Sequence, residues 1–239
     1  MPAPRIHRYT TSGLRTSLLS VPGAVGAEAV GLRPIGEVMG CVVERAEDLT
    51  SSMRRGYATA LDRLRAEARD LGADGVLAIS CTVTRPRRTV HEFVMLGTAV
   101  RAARGMRPRQ PFTTGLPGPD VAKLLLAGWV PVTLAIGIHG GTVYDIAMTD
   151  HPGREMPAPT ELVTRIRAAA REEFLAAVRS SGADGGLVSA TTLHAWPLGR
   201  TGATAVAGVF GTAIARFRAG PASTEAHAVL PLDGGLPGS

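Results

Sequence analysis

The chain has 239 residues, 45% of them apolar and 19% charged, with a formal net charge of +6. That length suits one or two domains with packed cores, and the apolar content excludes a chain that is disordered throughout. The charge is concentrated: Arg85, Arg87, Arg88, Arg101, Arg104, Arg107 and Arg109 share one window with a single acid, Glu92, while the other 214 residues hold 19 bases and 19 acids. Any nucleic-acid or anionic-surface reading must use that window. Of the 26 basic residues only Lys123 is not Arg, a skew that a GC-rich genome produces as readily as selection for phosphate binding.

In chain order, residues 1–15 read as an N-terminal extension, and Met1 to Tyr9 lack the apolar stretch of a secretory signal. A first module is expected over 16–101. Its strand is followed by a helix in which Met53, Tyr57, Leu61, Leu64, Ala68 and Leu71 keep helical spacing, with Ser51 as N-cap and Gly72 as stop. A hairpin follows, Asp74 to Thr84 with Val90 to Arg101, with Pro86 in its turn. A linker is expected over 102–112 and a second module over 113–218.

The second module opens on a short helical segment, Asp120 to Gly128. In its strand Val132, Leu134, Ile136 and Ile138 alternate, and Leu162, Ile166, Ala170, Phe174 and Val178 mark its helix, with Thr160 as cap and Gly182 as stop. The closing hairpin is Asp184 to Trp196 with Ala203 to Phe217, turning through Pro197, Gly199 and Gly202. Ala203 to Ile214 is apolar on both faces, which predicts burial on both. Residues 219–239, rich in Pro, Gly and Ser, read as a flexible tail. The apolar run Leu124 to Ile138 is shorter than the about 20 residues a membrane span needs, and Pro131 marks a break near it.

The two modules are copies. Gly31-Leu32-Arg33-Pro34-Ile35-Gly36 followed by Gly40 matches Gly128-Trp129-Val130-Pro131-Val132-Thr133 followed by Gly137. Gly72-Ala73-Asp74-Gly75 recurs as Gly182-Ala183-Asp184-Gly185, and Gly97-Thr98-Ala99-Val100 as Gly211-Thr212-Ala213-Ile214. Three blocks in one order specify a duplication. The fold class is therefore α+β: two tandem strand-helix-strand-strand modules, each a small antiparallel sheet covered by one long helix. One helix covers one face of a sheet, so the other face is left for association within and between chains.

The stretch Leu71 to Ile79 (LGADGVLAI), Glu92 to Arg101 (EFVMLGTAVR) and Ala127 to Gly137 (AGWVPVTLAIG) resembles the YbjQ-like family, which carries a heavy-metal-binding label. The resemblance implies a dodecin-subunit-like unit that assembles into five-membered rings, and it supplies no catalytic signature. A homo-oligomer in multiples of five is thus expected. A ring of five cannot alternate two kinds of module, so either each ring uses one kind and each chain links two rings, or the ring size departs from five.

For a metal, the best set of ligands in the sequence is Cys41, Cys81 and His91, one from each strand of the first copy. Against it, Cys41 corresponds to Ile138 and alternates with Met39 and Ile35, Cys81 alternates with Leu77, Ile79 and Val83, and His91 corresponds to Ala205. A looser set, His139, Asp145, Asp150 and His151, borders the longer loop of the second copy. No cofactor is expected; a divalent or soft metal is the alternative. No GxSxG, HExxH, P-loop or dinucleotide fingerprint occurs, so the chain reads as a non-enzyme. Asp74 and Asp184 recur at the helix-to-strand turn, where a carboxylate accepts backbone N–H bonds. Glu172 with Glu173, and Arg63 with Arg65, read as solvated helix faces. The basic window lacks the aromatic platform of a single-strand binder, and nucleic acid is not the expected partner. Two Cys without CxxC spacing fit a reduced, cytoplasmic compartment, and no membrane partner is expected.

Overall fold

The computed structural model describes residues 17–45, 48–87, 89–103, 107–144, 156–198, 202–217 and 229–231. The first module comprises α1 (Val21–Ala29), β1 (Leu32–Arg45), α2 (Leu49–Asp70), β2 (Gly75–Arg87) and β3 (Val90–Ala102). After β4 (Phe112–Thr113), the second repeats it with α3 (Gly118–Leu126), β5 (Trp129–Val143), α4 (Pro157–Ser180), β6 (Gly185–Leu198) and β7 (Gly202–Arg216). A last strand, β8, covers Val229–Pro231. The fold is the α+β duplication expected, with the short N-terminal helix present in both copies.

Local chemistry sets the helix ends. Gly72 and Gly182 stop α2 and α4 at φ of 68° and 72°, a left-handed conformation that suits glycine. The caps differ from expectation. Asp48, not Ser51, caps α2: its carboxylate accepts from the Ser51 N–H at 2.7 Å, which holds the Asp48 pKa below the ordinary value. Thr160 lies inside the first turn of α4, which begins at Pro157 without a side-chain cap. Asp74 and Asp184 act as expected, accepting from the N–H of Ala102 at 2.8 Å and of Arg216 at 2.7 Å.

Each sheet has four strands, in the orders β1-β3-β2-β4 and β5-β7-β6-β8. The fourth strand was not legible as part of either module. Beside β2 it is the parallel strand β4 from the start of the second module, and beside β6 it is β8, a piece of the expected flexible tail, paired antiparallel with Gly185 to Leu187. The hairpin strands also run through Pro86 and Pro197 instead of turning there. Those strand ends lie beyond the short pairings of β4 and β8, so on that side no ladder N–H is required of proline.

Helix and sheet approach closely at a glycine repeated in both copies. A Cβ on Gly40 would stand 1.8 Å from the Ala60 carbonyl oxygen, and one on Gly137 would stand 2.1 Å from that of Ala170. The large core residues are exchanged between the copies. Gly56 on α2 makes room for Phe93 on β3, whereas the matching positions hold Ile166 and Ala207, all four buried. β7 is buried along most of its length on both faces, as its composition predicted.

Gly40→Ala should displace α2 from β1 and destabilise the protein by about 1–3 kcal/mol, the usual cost of overpacking. Gly36→Ala, whose Cβ would meet only the end of Leu71 at 3.4 Å, should be close to neutral. Urea unfolding midpoints compare the two; equal midpoints would contradict the glycine contact.

Candidate functional site at the module interface

The two modules are layered sheet, helix, sheet, helix. Helix α2 packs on its own sheet through Ala60, Leu64 and Ala68, and its opposite side meets the free face of the second sheet. One cluster therefore joins Tyr57, Leu61 and Leu64 to Leu134, Ile138 and Val206. Tyr57 bridges the modules, edge-on to Phe93 at 5.2 Å and to Phe210 at 5.4 Å. Arg65 reaches Thr133 Oγ1, and the Thr114 and Thr212 hydroxyls share a buried hydrogen bond of 2.7 Å.

At the outer edge of the interface Arg54 donates to the Ile138 carbonyl at 3.0 Å and pairs with both carboxylate oxygens of Glu173, which also bonds His139 Nδ1 at 2.7 Å. Glu173 and Arg65 are thus interface residues and not solvated faces. Arg63 likewise reaches back to the Cys41 carbonyl on the outer strand β1. Glu173 occupies the position of Arg63 in the second copy and cannot donate, so Arg54 of the first module supplies the bond to β5. That exchange of sign between matching positions is the signal in the sequence that marked the cluster.

A cavity of about 690 Å³ lies between the modules, with Tyr57, Cys81, His91, Trp196 and Phe210 among its walls. Burial pushes the Cys81 thiol up to about 11 and raises Tyr57 further, with the nearby Cys81 adding to it. Burial, then the Arg85 charge, lowers His91. At neutral pH these three groups are uncharged, and none is an activated nucleophile. His91 is 6% exposed and its Nδ1 has no partner.

The metal ligands expected from sequence do not converge. Cys41 pairs with Val94 and is exposed on the face of β1 away from α2, while Cys81 pairs with Met95 on the helix side. His91 shares the face of Cys81 but lies four residues along β3 from its partner, about 13 Å away by strand rise. Two register shifts hid this from the sequence. One at Pro34/Gly36 puts Ile35 against the core and separates it from Met39 and Cys41, and one at Leu77/Ser80, with Ala78 at φ 51°, turns Leu77 to the face opposite Cys81. Among the described residues no group of three or more His, Cys, Asp or Glu could hold a metal ion, so these residues do not fit the site that a heavy-metal label implies. Of the looser set only His139 is described; Asp145, Asp150 and His151 lie outside the described residues.

The basic window divides. Arg85 stands over the Trp196 ring at 6.0 Å, joining the two hairpin ends, with Arg87 exposed beside it. Arg101 donates to the carbonyls of Gly72 and Leu71, closing the C-terminus of α2, and Arg107 lies 3.9 Å from Asp74. Arg109 is exposed, and Arg88 and Arg104 lie outside the described residues. The two groups are at opposite ends of β3, about 30 Å apart by strand rise. No helix among the described residues is long and apolar enough to cross a membrane.

The profile of the YbjQ family, described as "Putative heavy-metal-binding", matches residues 23–103. An encapsulin nanocompartment protein of Mycobacterium tuberculosis is 30% identical to this chain, over 91% of the chain and 92% of its own length. No solved structure matches.

Two outcomes follow from the interface. In a double-mutant cycle on unfolding free energy, Tyr57→Ala and Phe210→Ala should couple by about 0.5–1.5 kcal/mol, and additive effects would deny the bridge. His91 binds its proton more weakly in the folded chain than at its ordinary value of 6.5, so the unfolded chain takes up more protons below that pH. Stability should therefore fall as pH drops from neutral to about 5, and His91→Leu should flatten that slope in denaturant titrations.

Proposed function

This chain belongs to the YbjQ family, and from that premise we propose that it is a non-enzymatic, self-assembling protein whose modules stack into rings and, through them, a shell. One observation carries the reading: within the chain the free face of the second sheet is buried under the long helix of the first module, while the matching face of the first sheet is covered only at one end, where α1, α3 and Leu19 bury Leu32, Leu77 and Val100 and Leu18 bonds Thr98, and no long helix lies over the rest. Met39 and Leu96 are half-buried there, and Cys41 and Val43 are exposed. A sheet face of this kind is completed by another copy. The full-length relative, an encapsulin nanocompartment protein, supports a compartment-like assembly.

The stoichiometry is constrained by how the two modules sit. They are neighbours in one stack, which supports rings that contain both kinds of module over rings of one kind linked by each chain. Multiples of five are then multiples of five chains, with ten modules to a ring. The assembly is proposed to act in the cytoplasm, where its two unpaired cysteines stay reduced. The nucleic-acid reading is weaker, since Arg101 and Arg107 are engaged at the end of α2.

Size-exclusion chromatography with light scattering is the test. The protein should elute as a species of many times the 24.8 kDa chain mass at micromolar concentration, and a monomer would overturn the reading.

A further inference from the structure

The internal repeat assigns every residue of the interface between modules a counterpart elsewhere in the chain. Tyr57 and Leu61 on the outward side of α2 correspond to Arg167 and Arg171, both exposed on α4. Leu134 and Val206, which receive α2 on the second sheet, correspond to Glu37 and Glu92 on the free face of the first sheet. The strand pairings confirm the match: Glu37 is opposite Thr98 as Leu134 is opposite Thr212, and Val43 is opposite Glu92 as Gly140 is opposite Val206. Two apolar partners on the helix have become two cations, and two apolar partners on the sheet have become two anions.

We propose that the outward face of α4 in one copy docks on the free face of the first sheet in the next, with Arg167 and Arg171 set against Glu37 and Glu92. The inference rests on the self-assembly reading and names its contact. The occupant is a second copy because the surface continues an interface already built inside the chain, and because the charges are complementary. Met39 and Leu96 take the places of Ile136 and Phe210 at the centre of the contact, so an apolar middle is kept inside a charged surround. The chain's own β8 fills the edge of β6 that matches the one where β4 pairs on β2, so the contact is made face to face and needs no exchanged strand.

The contact is head to tail, so it closes into a ring or continues as a filament. In a closed ring the two kinds of module alternate, and the number of modules is even.

Charge reversal tests this. Arg167→Glu with Arg171→Glu, and separately Glu37→Arg with Glu92→Arg, should each abolish the high-mass species in light scattering while the circular dichroism of the chain is kept. All four changes together should restore it. Cys41, on the same face, should be slow to alkylate in the wild-type assembly and fast in either double variant. If the wild type is a monomer, self-assembly itself fails. If it assembles but both double variants keep its mass, or Cys41 alkylates as fast in the assembly as in a dispersed variant, assembly stands and this contact is wrong.

Discussion

A sheet has two faces and each module of this chain has one long helix. That shortage of cover governs the molecule. Helix α2 answers it once, serving as the cover of its own sheet on one side and of the next sheet on the other, so Tyr57 and Leu61 belong to both modules at once. Close approach is needed for a helix to serve two layers, and Gly40 and Gly137 provide it by letting helix backbone rest against strand backbone. The first sheet is left with an outer face that α1 and α3 cover only at one end, and α4 with a free side, which gives the chain two unlike ends in one stacking direction.

Duplication then allows the copies to specialise. Inside the chain the contact is apolar and permanent, and the bonds around it, from Arg54 to Glu173 and from Thr114 to Thr212, hold its register. Exposed ion pairs of this kind add little stability, about 0.2–1 kcal/mol each, so burial carries the energy and charge carries the specificity. The matching outer surfaces exchange apolar residues for Arg and Glu, which keeps an isolated chain from presenting a large apolar patch. The net charge of +6 fits the same picture. Arg101 and Arg107 of the basic window close the end of α2, and Arg85 joins the two hairpin ends, so these three serve packing inside the chain.

The duplication, the helix stops at Gly72 and Gly182, the turn carboxylates Asp74 and Asp184, and the double burial of β7 were legible because each depends on local backbone geometry or a strict period. The fourth strands were not, since β4 stands at the start of the second module yet pairs with the first, and β8 comes from the tail. The faces of Cys41 and Leu77 were misjudged because an inserted residue in a strand reverses every side chain beyond it, and nothing local in the sequence marks Ala78 as left-handed. The Arg54–Glu173–His139 cluster spans 119 residues and was visible only as a difference between copies. The metal site failed for the same geometric reason: three residues on three neighbouring strands converge only when register and face agree.

Electron cryomicroscopy of the purified assembly tests the central claim most directly, because it shows the order of the modules. The account predicts first and second modules alternating around the particle, with α4 of each copy lying on the first sheet of the next. Rings built from one kind of module, or a first sheet whose free face is open to solvent in the particle, would contradict it.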